Sequence, residues 1–249
     1  MEQNAGVGTD RPPTRENWMT QRIVSLLIVA ACVVATATAG ERTLTYARSA
    51  EGIDIVAFNA GTGDLELIAG DGETIEIEIT LTPRRGGFFS SLKDSEREVE
   101  QAVLQSEVVG KRLILEIETD SGDRRFEERW EVQLPSRCGV EIEAGVGDVT
   151  LLGIAGGAKL ELGVGDVRVD VPNGDVIVEL GVGDAVVKAI AASYGPVEAS
   201  GGVGQTRIKA AGDSIEGEGF VGHSASWVGN GRHRIQVEVG VGDVQVTLE

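Results

Sequence analysis

Residues 160–171 read LELGVGDVRVDV, and this stretch decides the fold that we predict. Apolar residues alternate with polar ones up to Val164, and they alternate again from Val167 on the opposite parity. Within a straight strand, such a change would turn the apolar side chains to the other face of the sheet. If the chain bends at Gly165-Asp166, both halves keep their apolar side chains in one interior. The tripeptide Val-Gly-Asp therefore predicts a corner between two short strands, since glycine and aspartate both favour turns.

The corner motif recurs at a nearly constant spacing. Its third position falls at 148, 166, 184, 205, 223 and 243, so that successive copies lie 18, 18, 21, 18 and 20 residues apart. Two copies are degenerate, and an outlying Thr-Gly-Asp stands at 62–64. The predicted corner residues are Gly147, Asp148, Gly165, Asp166, Gly183, Asp184, Gly204, Gln205, Gly222, His223, Gly242 and Asp243.

The repeats predict an all-β chain in which residues 136–249 form a β-solenoid of about six coils. One unit of 18–21 residues cannot bury its apolar side alone, whereas stacked units share a continuous core. The 35 glycines and the low aromatic content of 4% fit a chain of short strands and tight turns. A β-sandwich also spaces its strands at about 8–12 residues, but it does not require one repeated corner.

The preceding residues, 40–135, are rich in predicted strands but are not in phase with the repeat. Isoleucine and leucine alternate with polar residues over 75–81, as in a strand with one wet face. A capping-box pattern at 91–94 predicts one short helix near 91–106. We expect 40–249 to form one continuous domain, with the inward face of the helix made of Leu92, Val99, Ala102 and Val103.

Two neighbouring stretches carry a family resemblance. Residues 130–135 read WEVQLP, and residues 140–149 read VEIEAGVGDV. A strand that ends in Leu-Pro and is followed by repeated Gly-x-Gly-Asp-Val strands resembles the bacterial putative-adhesin, or toastrack, family over residues 50–249. The resemblance implies an extracytoplasmic, right-handed β-helix-like domain, sometimes linked to envelope-stress systems. It brings no established catalytic residues.

The N-terminal segment, residues 1–39, predicts export. Arg22 precedes an apolar run over 23–39, and Ala37-Thr38-Ala39 fits a signal-peptidase site. Three interpretations remain open: a cleaved signal peptide, a retained membrane anchor, or a lipoprotein signal that modifies Cys32. All three predict an extracytoplasmic protein whose membrane contact, if any, runs through this segment.

The net charge argues against nucleic acid as a partner, and the cysteine content argues against an internal disulfide. The net charge is −18, and because the acidic and basic residues of 1–39 cancel, the remaining chain keeps it. Such an acidic surface disfavours nucleic acid. Cys138 is the one cysteine beyond residue 39, so an exported chain cleaved there forms no internal disulfide.

The stacked corner aspartates raise the question of a calcium ladder at Asp148, Asp166 and Asp184. Neighbouring strands lie about 4.8 Å apart, and two carboxylates at that distance repel by about 0.9 kcal/mol in bulk water. A cation would relieve this repulsion, but solvated turn aspartates explain the pattern more simply. We therefore predict no metal, no other cofactor and, in the absence of a catalytic motif, no enzyme.

Two segments are candidate contact sites. The loop with Arg84, Arg85, Phe88 and Phe89 predicts a contact surface, unless both rings tuck into the core. The chain ends within the last predicted coil, and we expect Val244, Val246 and Leu248 to form an uncovered edge there. That edge would pair with a second copy or accept a strand from a partner.

The sequence therefore predicts an exported, non-enzymatic binding or scaffolding module of the bacterial cell envelope. Its partner would be a protein or another envelope component. The alternative is a sensory or regulatory domain in envelope-stress signalling.

Overall fold

The computed structural model describes residues 35–38, 40–84, 92–120, 124–217 and 222–249. Strands dominate these ranges, accompanied by one α-helix, α1 (Leu92–Gln101), and a 3₁₀ turn at Ala191–Ser193. The all-β prediction is confirmed. Residues 1–34, with Cys32, lie outside the described residues, as does most of the predicted contact loop.

The strands form two mixed sheets. Sheet A has the order β1 (Ala35–Thr38), β2 (Glu41–Ser49), β5 (Thr74–Pro83), β8 (Phe126–Pro135), β4 (Leu65–Gly70), β10 (Val149–Leu152), β12 (Val167–Val171), β14 (Ala185–Ala189), β20 (Val244–Leu248), β16 (Thr206–Ala210) and β17 (Asp213–Glu216). Sheet B has the order β18 (His223–Val228), β15 (Tyr194–Val203), β19 (His233–Val241), β13 (Val176–Val182), β11 (Ala158–Val164), β9 (Gly139–Val146), β3 (Ile55–Thr62), β7 (Arg112–Glu118) and β6 (Val103–Val109).

Parallel strands occupy the middle of each sheet, and antiparallel strands lie at its ends. At each corner the chain leaves a strand of sheet B and enters a strand of sheet A, and the corner glycines share one backbone conformation. Their φ angles lie between +137° and +142°, a region that strongly favours glycine. The glycines are Gly63, Gly147, Gly165, Gly183, Gly204 and Gly242. The outlying Thr-Gly-Asp at 62–64 is thus a corner.

One predicted corner is wrong. Gly222 has a φ of +71°, and His223 begins β18 and is buried. This strand runs antiparallel to β15 and does not lead into sheet A. The sequence match arose because a turn glycine followed by a polar residue also precedes an ordinary antiparallel strand.

The stacking order departs from the chain order at the C-terminus. The last corner unit, β19 and β20, lies between the units β13–β14 and β15–β16 in both sheets. The expectation of an uncovered edge at Val244, Val246 and Leu248 is therefore wrong, since β20 is hydrogen-bonded on both sides and these side chains are buried. The end of the stack is formed instead by the antiparallel strands β17 and β18.

The inward side chains of both sheets form one core that extends from Leu44 to Leu248. The valine of each confirmed corner motif lies outside this core, whereas the alternation of apolar residues before the corner predicted that its side chain points inward. Val164 is 46% exposed, although Leu160 and Leu162 on the same strand are buried. The chain already bends at this position, so the valine side chain turns outward.

The predicted helix is shorter than expected. It ends at Gln101, and Val103–Val109 forms edge strand β6 against β7. Val99 and Ala102 are buried, but Leu92 and Val103 are exposed. Pairing of the valine-rich segment with β7 outweighs its continuation as a helix, because β-branched residues favour strands.

Candidate binding surface

The corner aspartates link successive units through their side chains. Asp148 Oδ1 accepts a hydrogen bond from the backbone N–H of Asp166 at 2.9 Å, and Asp166 Oδ1 accepts one from Asp184 at 3.0 Å. The same bond joins Asp64 to Asp148, Asp184 to Asp243, and Asp243 to Gln205. The glutamine stands at the last corner of the row, where no further parallel unit needs an acceptor. This position explains its departure from the motif.

Both glycines of the Gly-x-Gly-Asp motif are required by close stacking. A Cβ atom added at Gly165 would lie 1.9 Å from the backbone oxygen of Gly147. A Cβ added at Gly163 would lie 2.5 Å from the backbone oxygen of Gly145. The first glycine of each motif, such as Gly163, lies on the outer face of sheet B. Because these glycines have no side chain, they leave a bare backbone surface there.

A row of glutamates borders this glycine surface. Glu143, Glu161, Glu179 and Glu238 are aligned in register on neighbouring parallel strands. Within the described residues, Glu161 pairs with Lys159 and Glu238 accepts a hydrogen bond from Gln236. At a strand spacing of about 4.8 Å, the four carboxylates, one of them paired with Lys159, create a negative strip.

The glutamates and glycines together line a groove of about 730 Å³ on the outer face of sheet B. Its floor includes Gly163, Gly181 and Gly240, and Gly222 and Ser224 lie at the β18 end. The half-exposed corner valines follow these floor glycines in sequence and are aligned in register, as at Val146, Val164, Val182, Val241 and Val203. The surface thus combines negative charge, exposed backbone and an apolar stripe.

The glutamate row was missed by the sequence reasoning, which interpreted alternating glutamates only as wet strand faces. Each of the four stands five residues before a corner aspartate. This constant distance could have predicted the row, because residues at the same distance from their corners come to lie side by side when the corners stack in register. At the Gln205 corner the same offset gives Ser200.

The three aspartates that were considered for a calcium ladder, Asp148, Asp166 and Asp184, lie together in one row, and one oxygen of each accepts a backbone hydrogen bond. Across the part of the chain that the structure describes, no group of three or more His, Cys, Asp or Glu side chains is arranged to hold a metal ion.

Of the residues predicted to form the contact loop, Arg84 lies within the described part of the chain. Arg84 is exposed, and its backbone N–H donates to the carbonyl of Arg125. Arg85, Phe88 and Phe89 lie outside the described residues. The contact surface predicted for these four residues therefore stays a prediction.

His223 has a structural role at the end of the core. Its Nδ1 lies 2.6 Å from Thr206 Oγ1, and its ring occupies the space that a side chain at Gly201 would need. Its Nε2 is buried without a hydrogen-bond partner among the described residues. The histidine follows the inward parity of its strand, so it packs beneath the groove.

Two other buried titratable groups lie away from the groove. Burial raises the pKa of the Glu128 carboxyl, although Trp130 Nε1 donates a 2.9 Å hydrogen bond to it and Arg124 lies 3.6 Å away. Burial likewise raises the pKa of the Cys138 thiol. A protonated, enclosed thiol is a poor nucleophile, so Cys138 is a packing residue.

Comparisons with known proteins support the fold. No family model and no curated protein matches the sequence. A solved structure described as a putative cell adhesion protein from Clostridium sporogenes is similar with a TM-score of 0.55 and 22% identity, covering 84% of this chain and 100% of that one. This likeness shows a common fold, and its name agrees with the resemblance found in the sequence.

Weaker likenesses follow. A putative adhesin from Bacteroides fragilis has a TM-score of 0.32, and a putative lipid binding protein from Parabacteroides distasonis has one of 0.25. Each is 10% identical and covers 82% of this chain and 96% of its own. TM-scores this low support no conclusion about this chain. Within the described ranges, no helix has the length and apolarity needed to cross a membrane.

Proposed function

We propose that this chain is an exported, adhesin-like binding module of the bacterial cell envelope, without enzymatic activity, whose binding face is the groove on sheet B. The observation that carries this proposal is the in-register row of Glu143, Glu161, Glu179 and Glu238 beside a bare glycine floor. The similar fold of the protein described as a cell adhesion protein supports it. The parallel stacking of the corners supports a β-solenoid as the scaffold.

The glutamate row selects the chemistry of the partner. Aligned carboxylates at about 4.8 Å destabilise one another by roughly 0.9 kcal/mol per pair even in bulk water. A basic segment that lies along the row removes this repulsion, and the glycine floor allows its backbone to approach closely. The partner is therefore expected to be a basic region of an envelope protein.

The experiment compares two double variants of equal charge. Glu161→Gln with Glu179→Gln neutralises the groove, whereas Glu66→Gln with Glu131→Gln neutralises neighbouring glutamates on the outer face of sheet A. The probe is a fluorescent oligolysine peptide, with oligoglutamate as the negative control. We expect the groove variant to bind oligolysine at least about fivefold more weakly and the sheet A variant to bind as the parent does.

Glu131 also lies opposite Glu78, so the control pair belongs to an acidic row on sheet A. Equal weakening by both pairs would show that the groove is not the specific site and would refute it. Absence of oligolysine binding to the parent protein at low salt would refute the basic partner. Mass spectrometry of the mature N-terminus tests export separately, because it distinguishes cleavage after Ala39 from a retained or lipidated segment.

A further inference from the structure

Sheet A carries a group of positively charged side chains on its outer face. Arg168 on β12, Lys188 on β14 and Lys209 on β16 are exposed, and the residues on either side of each one are buried. Because successive side chains of a strand point to opposite faces of the sheet, all three cations lie on the outer face. These three residues are called the basic patch below. The patch lies on the same corner units whose other strands form the groove of sheet B.

The basic patch has no ionic partner within the described part of the chain. No salt bridge there joins any of its three cations to a carboxylate, whereas Arg207 on the same face pairs with Glu216 at 3.0 Å. The strands β12, β14, β20 and β16 carry one acidic residue, Asp170, which lies in register with Lys188. Unpaired cations on a surface favour a partner surface of negative charge.

The basic patch and the glutamate row are built on the same strand spacing. Neighbouring strands run in the order β12, β14, β20, β16 in sheet A and β9, β11, β13, β19 in sheet B, about 4.8 Å apart. Cations of the patch stand on the first, second and fourth of the sheet A strands, and the third offers the uncharged Thr247. Glutamates without a salt bridge stand on the first, third and fourth of the sheet B strands, since Glu161 on the second pairs with Lys159.

The two charge patterns coincide when sheet A of one molecule lies over sheet B of another that is rotated by half a turn about the axis normal to the sheets. Thr247 then faces Glu161, which Lys159 already neutralises. Without the rotation, Lys188 would face this neutralised Glu161, and Glu179 would lack a cation. In the rotated arrangement every unpaired charge meets an opposite one: Arg168 with Glu238, Lys188 with Glu179, and Lys209 with Glu143.

Asp170 is the one like charge in this arrangement. It stands level with Lys188 on β12, so it would face Glu238. Arg168 precedes it by two residues on the same strand and the same face, and its long side chain can reach the same carboxylate. The arrangement therefore predicts that Asp170→Asn strengthens the contact.

We propose that the basic patch of one molecule occupies the groove of a second copy, with sheet A of the first facing sheet B of the second. The inference rests on the proposed function, since it uses the same groove and names a second copy as the basic partner. The bare glycine floor lets the lysine and arginine side chains approach the backbone of the groove.

The contact does not close on itself. The groove and the basic patch lie on different sheets, so each molecule can bind one copy through its groove and another through its patch. Such a head-to-tail contact produces chains of molecules and not a closed dimer. The net charge of −18 on each copy opposes association, so we expect weak assembly that grows with concentration.

The test is sedimentation velocity of the exported chain from roughly 0.01 to 1 mM. We expect species larger than a dimer at the highest concentration. The groove variant Glu143→Gln with Glu179→Gln should weaken association at least about fivefold, although it lowers the net repulsion between copies. The patch variant Lys188→Gln with Lys209→Gln should weaken it as much. Its matched control neutralises two exposed cations of α1, Lys93→Gln with Arg97→Gln, and should have a much smaller effect.

Mixing the two variants tests the direction of the contact. The groove variant keeps its patch and the patch variant keeps its groove, so an equimolar mixture should form heterodimers that do not grow further. Asp170→Asn in the parent chain should strengthen association.

Thermal unfolding of each variant verifies that the fold is retained. Association that resists either variant, or a mixture that stays monomeric, would overturn the proposal. Oligolysine binding separates this inference from the proposed function. A parent chain that binds oligolysine in the groove but stays monomeric would overturn self-association alone, whereas absence of oligolysine binding would overturn the proposed function as well. A monomeric parent whose patch is needed to bind phosphatidylglycerol vesicles would assign the patch to a membrane and also overturn the proposal.

Discussion

The aspartate row at the corners gives a prediction whose size follows directly from the structure. Asp166 Oδ1 accepts the backbone N–H of Asp184 at 3.0 Å. Asp166→Ala removes this acceptor, and we expect it to lower the free energy of unfolding by about 1 kcal/mol, the net value of one hydrogen bond. The corner is exposed, so water can replace the lost partner and the cost stays near that value.

Asp166→Asn is the informative comparison. The amide oxygen can accept the same hydrogen bond, while the substitution removes repulsion of roughly 0.9 kcal/mol in bulk water from each flanking carboxylate at about 4.8 Å. The charged acceptor makes the stronger hydrogen bond, which offsets this gain. We therefore expect Asp166→Asn to stay within about 0.5 kcal/mol of the parent protein.

Gln205→Ala provides a matched control within the chain. Gln205 stands at the last corner of the row, where its backbone N–H donates to Asp243 Oδ1 and, among the described residues, no further parallel unit follows its side chain. Its loss should also stay within about 0.5 kcal/mol.

Urea unfolding followed by circular dichroism measures all three changes. If Asp166→Asn costs as much as Asp166→Ala, the negative charge of the acceptor itself is required, and the charged hydrogen bond outweighs the repulsion between neighbouring carboxylates. If Gln205→Ala costs as much as Asp166→Ala, the aspartate side chains do not stabilise the fold by accepting backbone hydrogen bonds.

Three further substitutions test the packing and the buried carboxyl. Gly165→Ala should prevent folding, because the new Cβ would lie 1.9 Å from a backbone oxygen, whereas Gly52→Ala, with nothing within 4 Å of its Cβ, should cost far less when both are compared by thermal unfolding. Val246→Asp should unfold the chain, because Val246 is fully buried on an internal strand; the half-exposed Ile215 on edge strand β17 should tolerate the same change better in urea. Glu128→Gln should reduce the pH dependence of the free energy of unfolding. Because the pKa of Glu128 is raised in the folded chain, the stability that the protonated carboxyl contributes is fully present below the unfolded pKa of about 4.5. That stability is lost as the pH rises through the folded pKa. Unfolding free energies of parent and variant measured between about pH 4 and 8 check this, and parallel curves would contradict it.

The local geometry of the fold followed from the sequence. The parity change around Gly165-Asp166 predicted a corner, and the glycine has the left-handed backbone that such a bend requires. Alternating apolar residues predicted the all-β class and most of the core, including Leu160 and Leu162. These features depend on the conformation and side-chain direction of neighbouring residues, so a pattern within a few positions determines them.

The order of the units was decided only by the tertiary structure. The units share one pattern, so each can pair with any other in the same register. Nothing in the motif Val241-Gly242-Asp243 predicts that its strand β19 lies between β13 and β15. The glutamate row, the buried position of β20 and the open edge at β18 all depend on this order. Strand pairing between distant segments is set by backbone hydrogen bonds that are alike for every unit, and it therefore becomes definite only when the whole chain has packed.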